Sequence, residues 1–218
     1  MQHWETNYTI RAPNQASLPD GRASHVSREL SWATDNRLLE MRSWLYQPFL
    51  YFFIHNYRSN PDNTVSADHT ASMAPSLENF QQSAYLWTNS LEAEDATALY
   101  NFIMSGIECN MKILDVRSLR HRHHGLWYDM RSLMCASLIL LAIVKNGHDA
   151  WIPGGAEILW GYGTQGDPPT NGISGKIGHI IDEFEYWTDE SPDLRHHSYI
   201  LEDVTKMVKH IWLQRRGH

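Results

Sequence analysis

The sequence predicts an all-α fold, an irregular helical bundle of about seven helices with a long Gly-rich loop. Three observations predict it. Apolar residues recur at spacings of three and four along most of the chain. Runs that alternate apolar and polar residues between turns, the mark of half-buried strands, are missing. Helix ends are signalled by residues suited to them, above all Ser191-Pro192-Asp193 and Gly147. With 218 residues, the chain has the length of one ordinary domain and is long enough to bury a core.

Residues 1–25 carry Pro13, Pro19 and Gly21 with little periodicity, which predicts a flexible lead-in before a single all-helical domain over 26–216. From Glu29, the residues Leu30, Thr34, Leu38, Met41 and Leu45 follow the helical rhythm. Pro48 is expected to end or kink that helix, because proline lacks the amide donor and crowds the preceding turn. It also suits the first turn of a new helix, whose apolar face is Phe49, Leu50, Phe53, Ile54 and Tyr57. The two are expected to form a bent pair. Residues 58–76 read as a polar loop. Leu77, Phe80, Ala84, Trp87 and Leu91 predict a helix over 77–90, and Leu99, Phe102, Ile103, Ile107 and Met111 predict one over 94–116.

The segment from Trp127 to Lys145 is the most apolar, and Gly147 stops it. Its apolar run, Leu133 to Val144, is broken only by Ser137 and falls short of the ~20 residues needed to span a bilayer, so a buried core helix is expected. Residues 147–178 hold nine of the thirteen glycines and no period, which reads as a loop over 147–173. Ile177, Ile180, Ile181, Phe184 and Trp187 then mark a short helix. Ser191 is expected to cap the last helix, with Pro192 in its first turn and Asp193 at the positive end of its dipole. Leu194, Ile200, Leu201, Val204, Val208 and Ile211 give that helix its stripe, closed by Arg215, Arg216 and Gly217.

Composition narrows the function. Eighteen basic against twenty-five acidic side chains leave a formal charge of −7, unsuited to general polyanion binding. Cys109 and Cys135 lie in apolar helical segments and are expected to be buried and reduced; two isolated thiols build neither a disulfide framework nor a cysteine zinc motif. The polar N-terminus has no apolar leader, so a soluble intracellular chain without membrane association is expected.

The stretch "RHRHHGLWYDMR" concentrates candidate chemistry: His121, His123 and His124 beside Arg120 and Arg122. His121 and His124 would share a helical face. A zinc site needs three or four ligands, and neither Asp115 nor Asp129 completes a ligand spacing. Arg117, Arg120 and Arg122 offer an anion contact, but no aromatic residues interleave within the run. A third reading pairs it with "DEFEYWTDESPD", in which Asp182, Glu183, Glu185, Asp189, Glu190 and Asp193 are acidic. In that reading Gly125 permits a break between helices and Trp127 anchors the following one. No nucleophile elbow, P-loop or dinucleotide fingerprint is present, and "GGAEILWGYGTQG" follows no strand. No catalytic residue, metal or cofactor is expected.

Three stretches together resemble one family. "NRLLEMRSWLYQPFLYFFIH", with Arg42, Pro48 and His55, is similar to a helical segment in the regulatory region of fungal zinc-cluster transcription factors. "RHRHHGLWYDMR", with Arg122, His124, Gly125 and Trp127, resembles that region's "RHHGTW" element, and "EYWTDESPDL", with Trp187, Ser191, Pro192 and Asp193, resembles its "YWEDESPDL" segment. The family has threonine where Leu126 stands and glutamate where Thr188 stands. The resemblance implies an all-helical regulatory domain in the nucleus. Such a domain modulates transcription through other proteins or a small-molecule effector. The family's DNA-reading zinc cluster needs six cysteines, and two are present here, so no direct sequence-specific nucleic-acid binding by this chain is expected. The alternative is an all-helical small-molecule-binding protein or enzyme that uses His121, His123 and His124.

Overall fold

A computed structural model describes residues 23–57, 76–78, 80–81, 92–115, 125–161 and 175–217. The chain divides into two compact units, residues 1–38 and 39–218. The first is described only as helix, over 23–38, and the buried core lies in the second.

The described residues are helical and contain no strand. In chain order the elements are α1 (Ala23–Asn56), α2 (Ala93–Leu114), α3 (Leu126–Lys145), a 3-10 turn (Asp149–Trp151), α4 (Glu157–Trp160), α5 (Lys176–Tyr186) and α6 (Asp193–Arg215). Helical residues also occur at 77–78 and 80–81, inside the helix expected over 77–90, the rest of which lies outside the described residues.

The first difference from expectation is at Pro48. One helix runs from Ala23 to Asn56 with Pro48 inside it, so the proline does not end the helix. A proline in a helix interior costs about 3 kcal/mol, chiefly through the lost bond to the carbonyl four residues back. Packing on both sides of it offsets that cost. Tyr46 and Phe49 both lie against Phe102 of α2, at 6.2 and 4.7 Å between ring centroids. Ser43 Oγ donates to Asn110 Oδ1 at 3.1 Å and Cys109 Sγ donates to the Leu39 carbonyl at 3.1 Å. Pro48 itself faces outward. The helix also begins at Ala23, three residues inside the expected lead-in.

Helix α3 buries Leu126, Met130, Leu133, Ser137, Leu140, Leu141 and Val144, the three-four stripe of its sequence. The buried Ser137 hydroxyl donates to the Leu133 carbonyl at 2.8 Å, so no polar group is stranded there. At twenty residues, α3 is by length and composition apolar enough to cross a membrane, and 56% of that span is buried inside the protein. Cys135 corrects an expectation: it is exposed, while Cys109 is buried. It stands four residues beyond the exposed Arg131 and so shares the outer face of the helix. Burial raises the Cys109 thiol pKa.

The stop at Gly147 is as expected. Its φ of +87° is a left-handed conformation that costs glycine little. The His148 amide reaches the Ile143 carbonyl at 3.1 Å and the Gly147 amide reaches Val144 at 3.0 Å, the paired bonds of a Schellman cap.

The largest difference follows this stop. The sequence shows no period over 147–178, yet residues 148–161 are ordered around buried apolar side chains: Trp151, Ile152, Ala156, Leu159 and Trp160. Trp151 is 1% exposed. Its ring meets Phe53 at 4.7 Å, and Tyr57, Phe80 and Tyr100 at 5.5 Å each. Residues 162–174 lie outside the described residues. Beyond them, Gly175 sits directly on the chain at the end of α4. A Cβ there would stand 2.4 Å from the Gly161 nitrogen and 2.6 Å from the Leu159 carbonyl. The amide groups of α4 and the start of α5 approach closely because that position carries no side chain.

Helix α6 starts without a side-chain cap, against the expectation for Ser191. Pro192 has helical angles, φ −56° and ψ −24°, and the Leu194 and Arg195 amides donate to the Ser191 and Pro192 carbonyls. The tight first turn thus satisfies the Leu194 and Arg195 amides from the backbone rather than from the serine hydroxyl.

Trp151→Ala is expected to destabilise the fold by about 3–5 kcal/mol, because it empties the centre of the aromatic cluster. Urea unfolding followed by circular dichroism measures it. A loss below about 1 kcal/mol would show that the segment is not docked as described. Gly175→Ala is expected to destabilise as well, since the obstacle is backbone, which cannot rotate away.

Candidate functional site

The site built from the expected residues is the corner where α5 turns into α6. Helix α5 ends at Tyr186, and a six-residue turn carries Trp187 to Pro192. The Trp187 carbonyl accepts two amides, from Glu190 at 3.1 Å and Ser191 at 3.0 Å. Thr188, which replaces the resembled family's glutamate, closes the preceding turn through its hydroxyl to the Glu185 carbonyl at 2.9 Å. Trp187 is buried and meets Tyr186 edge-on at 5.2 Å.

Trp127, at the start of α3, lies edge-on to Trp187 with ring centroids 6.1 Å apart and planes at 75°. Two stretches about sixty residues apart in the chain therefore share one aromatic contact. Trp127 is not the anchor that was expected. It is 47% exposed, while Leu126 is 1% exposed and fills the core. Gly125 is also not used as a hinge glycine: its φ of −94° and ψ of −6° are open to any residue. Along the acidic stretch Asp182, Glu185, Asp189, Glu190 and Asp193 are exposed, as are Tyr186 and, next to Trp127 in the chain, Tyr128. Ser198 Oγ approaches Glu185 Oε1 at 3.4 Å.

The third resembled stretch lies elsewhere on the chain. Arg42 is half-buried, and Pro48 and His55 are exposed on α1, with the Tyr51 ring 4.3 Å from that of His55. No described contact joins these three to the corner. Arg122 and His124, with Arg117, Arg120, His121 and His123, lie outside the described residues. The expected pairing of the basic and acidic segments falls on these residues and so lies outside the described residues.

A second cluster was missed by sequence reasoning. His148, 4% exposed, stacks on Phe53 at 4.7 Å and meets Tyr57 at 5.2 Å, beside Trp151. Neither ring nitrogen has a hydrogen-bond partner in the protein. Burial lowers its pKa to about 4, Asp149 opposes the shift and Arg215 adds to it. The imidazole is held neutral, as an aromatic ring among aromatic rings. The next residue turns outward: Asp149 Oδ2 accepts from Trp212 Nε1 at 3.0 Å and from Arg216 Nη2 at 3.3 Å. Arg216 stands 4.2 Å over the Trp212 ring and also reaches Glu157 Oε1 at 3.3 Å. Arg215 donates to the Val144 and Lys145 carbonyls, the exposed end of α3. The signal for this cluster was "GHDAWIPGGAEILW", whose tryptophans and aliphatics are too dense for a solvated loop.

Among the described residues no group of three His, Cys, Asp or Glu side chains is placed to hold a metal ion. An open surface depression of about 420 Å³ is lined by Gln81, Glu94, Thr97, Ala98 and Asn101. Gln81 Nε2 donates to Thr97 Oγ1 across it at 3.0 Å. No family model, no curated protein and no solved structure matches the chain.

The neutral His148 sets a pH dependence. The unfolded imidazole binds a proton near pH 6.5 and the folded one near 4, so the unfolded state gains protons first as pH falls. Stability is therefore full above about 6.5 and declines towards 4, by on the order of 3 kcal/mol. His148→Leu keeps the apolar contact and removes the base. Its urea midpoint is expected to fall less than the wild-type midpoint between about pH 7 and about pH 5. Equal falls would refute the assignment.

Proposed function

We propose that this chain is a regulatory domain of the fungal zinc-cluster transcription-factor type, acting in the nucleus without a DNA-reading cluster of its own. It modulates transcription through contacts with other proteins or a small-molecule effector, and it carries out no catalysis. The observation that carries this reading is the Trp127–Trp187 contact. Two of the three stretches that bear the resemblance, far apart in sequence, meet at one corner. The all-helical fold agrees with the domain that the resemblance implies. The corner's exposed aromatic rings and carboxylates suit a basic partner segment, because aromatic faces supply contact area while carboxylates select the charge. The alternative role for His121, His123 and His124 falls on residues outside the described ones.

The test is a fusion of the full chain to a heterologous DNA-binding domain in a fungal reporter strain. Reporter output is expected to change at least several-fold relative to the DNA-binding domain alone at equal abundance. Indistinguishable output would overturn the proposal. The purified chain is also expected to bind neither stoichiometric zinc nor a specific DNA sequence, which metal analysis and mobility-shift assays check.

A further inference from the structure

The run "VKNGHD" places Asn146 directly before Gly147 at the end of α3. That dipeptide carries chemistry of its own. The side-chain amide carbon of an asparagine stands one five-membered ring away from the next backbone nitrogen. A following glycine hinders that approach least, because it has no Cβ. Asn146 is exposed, so water reaches it. Hydrogen bonds hold the turn closed. The Asn146 amide donates to the Ala142 carbonyl at 3.1 Å, the Gly147 amide to Val144 at 3.0 Å and the His148 amide to Ile143 at 3.1 Å. The Asn146 side chain reaches back through Nδ2 to the Ala142 carbonyl at 2.8 Å. Arg215 of α6 donates to the Val144 and Lys145 carbonyls.

We propose that Asn146-Gly147 is a site of spontaneous modification, at which Asn146 deamidates through a cyclic imide, and that the cap of α3 guards it. The step needs no reagent but water and its hydroxide. The Gly147 nitrogen gives its proton to hydroxide and bonds to Asn146 Cγ. The bond from Cγ to Nδ2 breaks, and Nδ2 leaves as ammonia. Water then opens the imide at either carbonyl, which leaves an aspartyl or an isoaspartyl residue at position 146. In the folded turn neither partner is free. The hydrogen on the Gly147 nitrogen points to the Val144 carbonyl, and the side-chain amide is turned back along the helix to Ala142. The reaction therefore waits for the turn to open, and its rate follows the open fraction. Arg215 limits that fraction, because its guanidinium ties the carbonyls of the last turn to α6.

The consequence falls on the turn that carries Trp151. A carboxylate cannot donate to the Ala142 carbonyl as Nδ2 does. An isoaspartyl link adds a methylene to the main chain, so the Gly147 and His148 amides lose register with the Val144 and Ile143 carbonyls. Those bonds set the direction in which His148 and Trp151 enter the core. Deamidation is thus a one-way change that loosens the docked segment and accumulates with the age of the chain.

The experiment incubates the full chain in mildly alkaline buffer for several weeks and follows position 146 by peptide mass spectrometry. Fragmentation separates it from Asn171, which also precedes a glycine. The chain unfolded in urea sets the unguarded rate. The folded chain is expected to convert about tenfold or more slowly, to a mixture that includes isoaspartate. Arg215→Ala is expected to raise the folded rate about threefold or more with the helical circular dichroism unchanged. Lys206→Ala, which removes an exposed ion pair within α6, is expected to leave it unchanged. If Arg215→Ala fails to fold, amide hydrogen exchange decides, since the Gly147 amide must open for both reactions and is expected to be protected. A folded chain that keeps Asn146 intact after the unfolded chain has converted would overturn the proposal. So would an aspartyl product with no isoaspartyl partner, which marks direct hydrolysis. Equal rates in the folded and unfolded chains, an Arg215→Ala rate equal to that of wild type, or an unprotected Gly147 amide would overturn it as well.

Discussion

The fold depends on one docking event: Trp151 enters the space between α1, the residues around Phe80 and helix α2. Four aromatic rings from these three parts of the chain meet the indole, and three of them, Phe53, Tyr57 and Phe80, are buried. A ring of this size removed from water contributes on the order of several kcal/mol, and each edge-on neighbour adds up to about 1 kcal/mol. The element that carries it is a single 3-10 turn of three residues, far too short to be stable alone. Its conformation is set by the Gly147 cap on one side and by Asp149 on the other.

Asp149 converts the docking into a connection between distant parts of the chain. Its carboxylate takes the Trp212 indole and the Arg216 guanidinium, while Arg215 closes the carbonyl end of α3. The charges are partly exposed, so each ion pair contributes about 1 kcal/mol or less. Their role is geometric: they fix where α6 ends relative to the turn. His148, one residue earlier, has the opposite character, buried and neutral with no hydrogen bond. The pair shows how adjacent residues on a tight turn are sent into different dielectric environments, and burial holds the His148 imidazole neutral.

The surface that remains has two distinct characters. The α5–α6 corner carries exposed carboxylates on either side of Trp187 in the chain. The outer face of α1 carries Met41, Trp44, Leu45 and Tyr51, all exposed.

The helices α2, α3, α5 and α6 were legible in the sequence because each is long enough for the 3.6-residue period to appear, and each buries the stripe that the period marks. Gly147 was legible as a stop for a local reason, since only the backbone of one turn is involved. Pro48 does not end its helix because the helix there is held by Phe102, a residue more than fifty positions away that no local pattern contains. Trp127 and Leu126 exchanged roles because a one-residue step rotates a side chain by about 100°, and the choice of inner face belongs to the neighbours. The segment around Trp151 has no period because it is built from single turns. The sequence by itself determined which long segments are helical and which residues are apolar. Only the tertiary structure decided which apolar residues are covered, because burial depends on partners that chain order does not bring together.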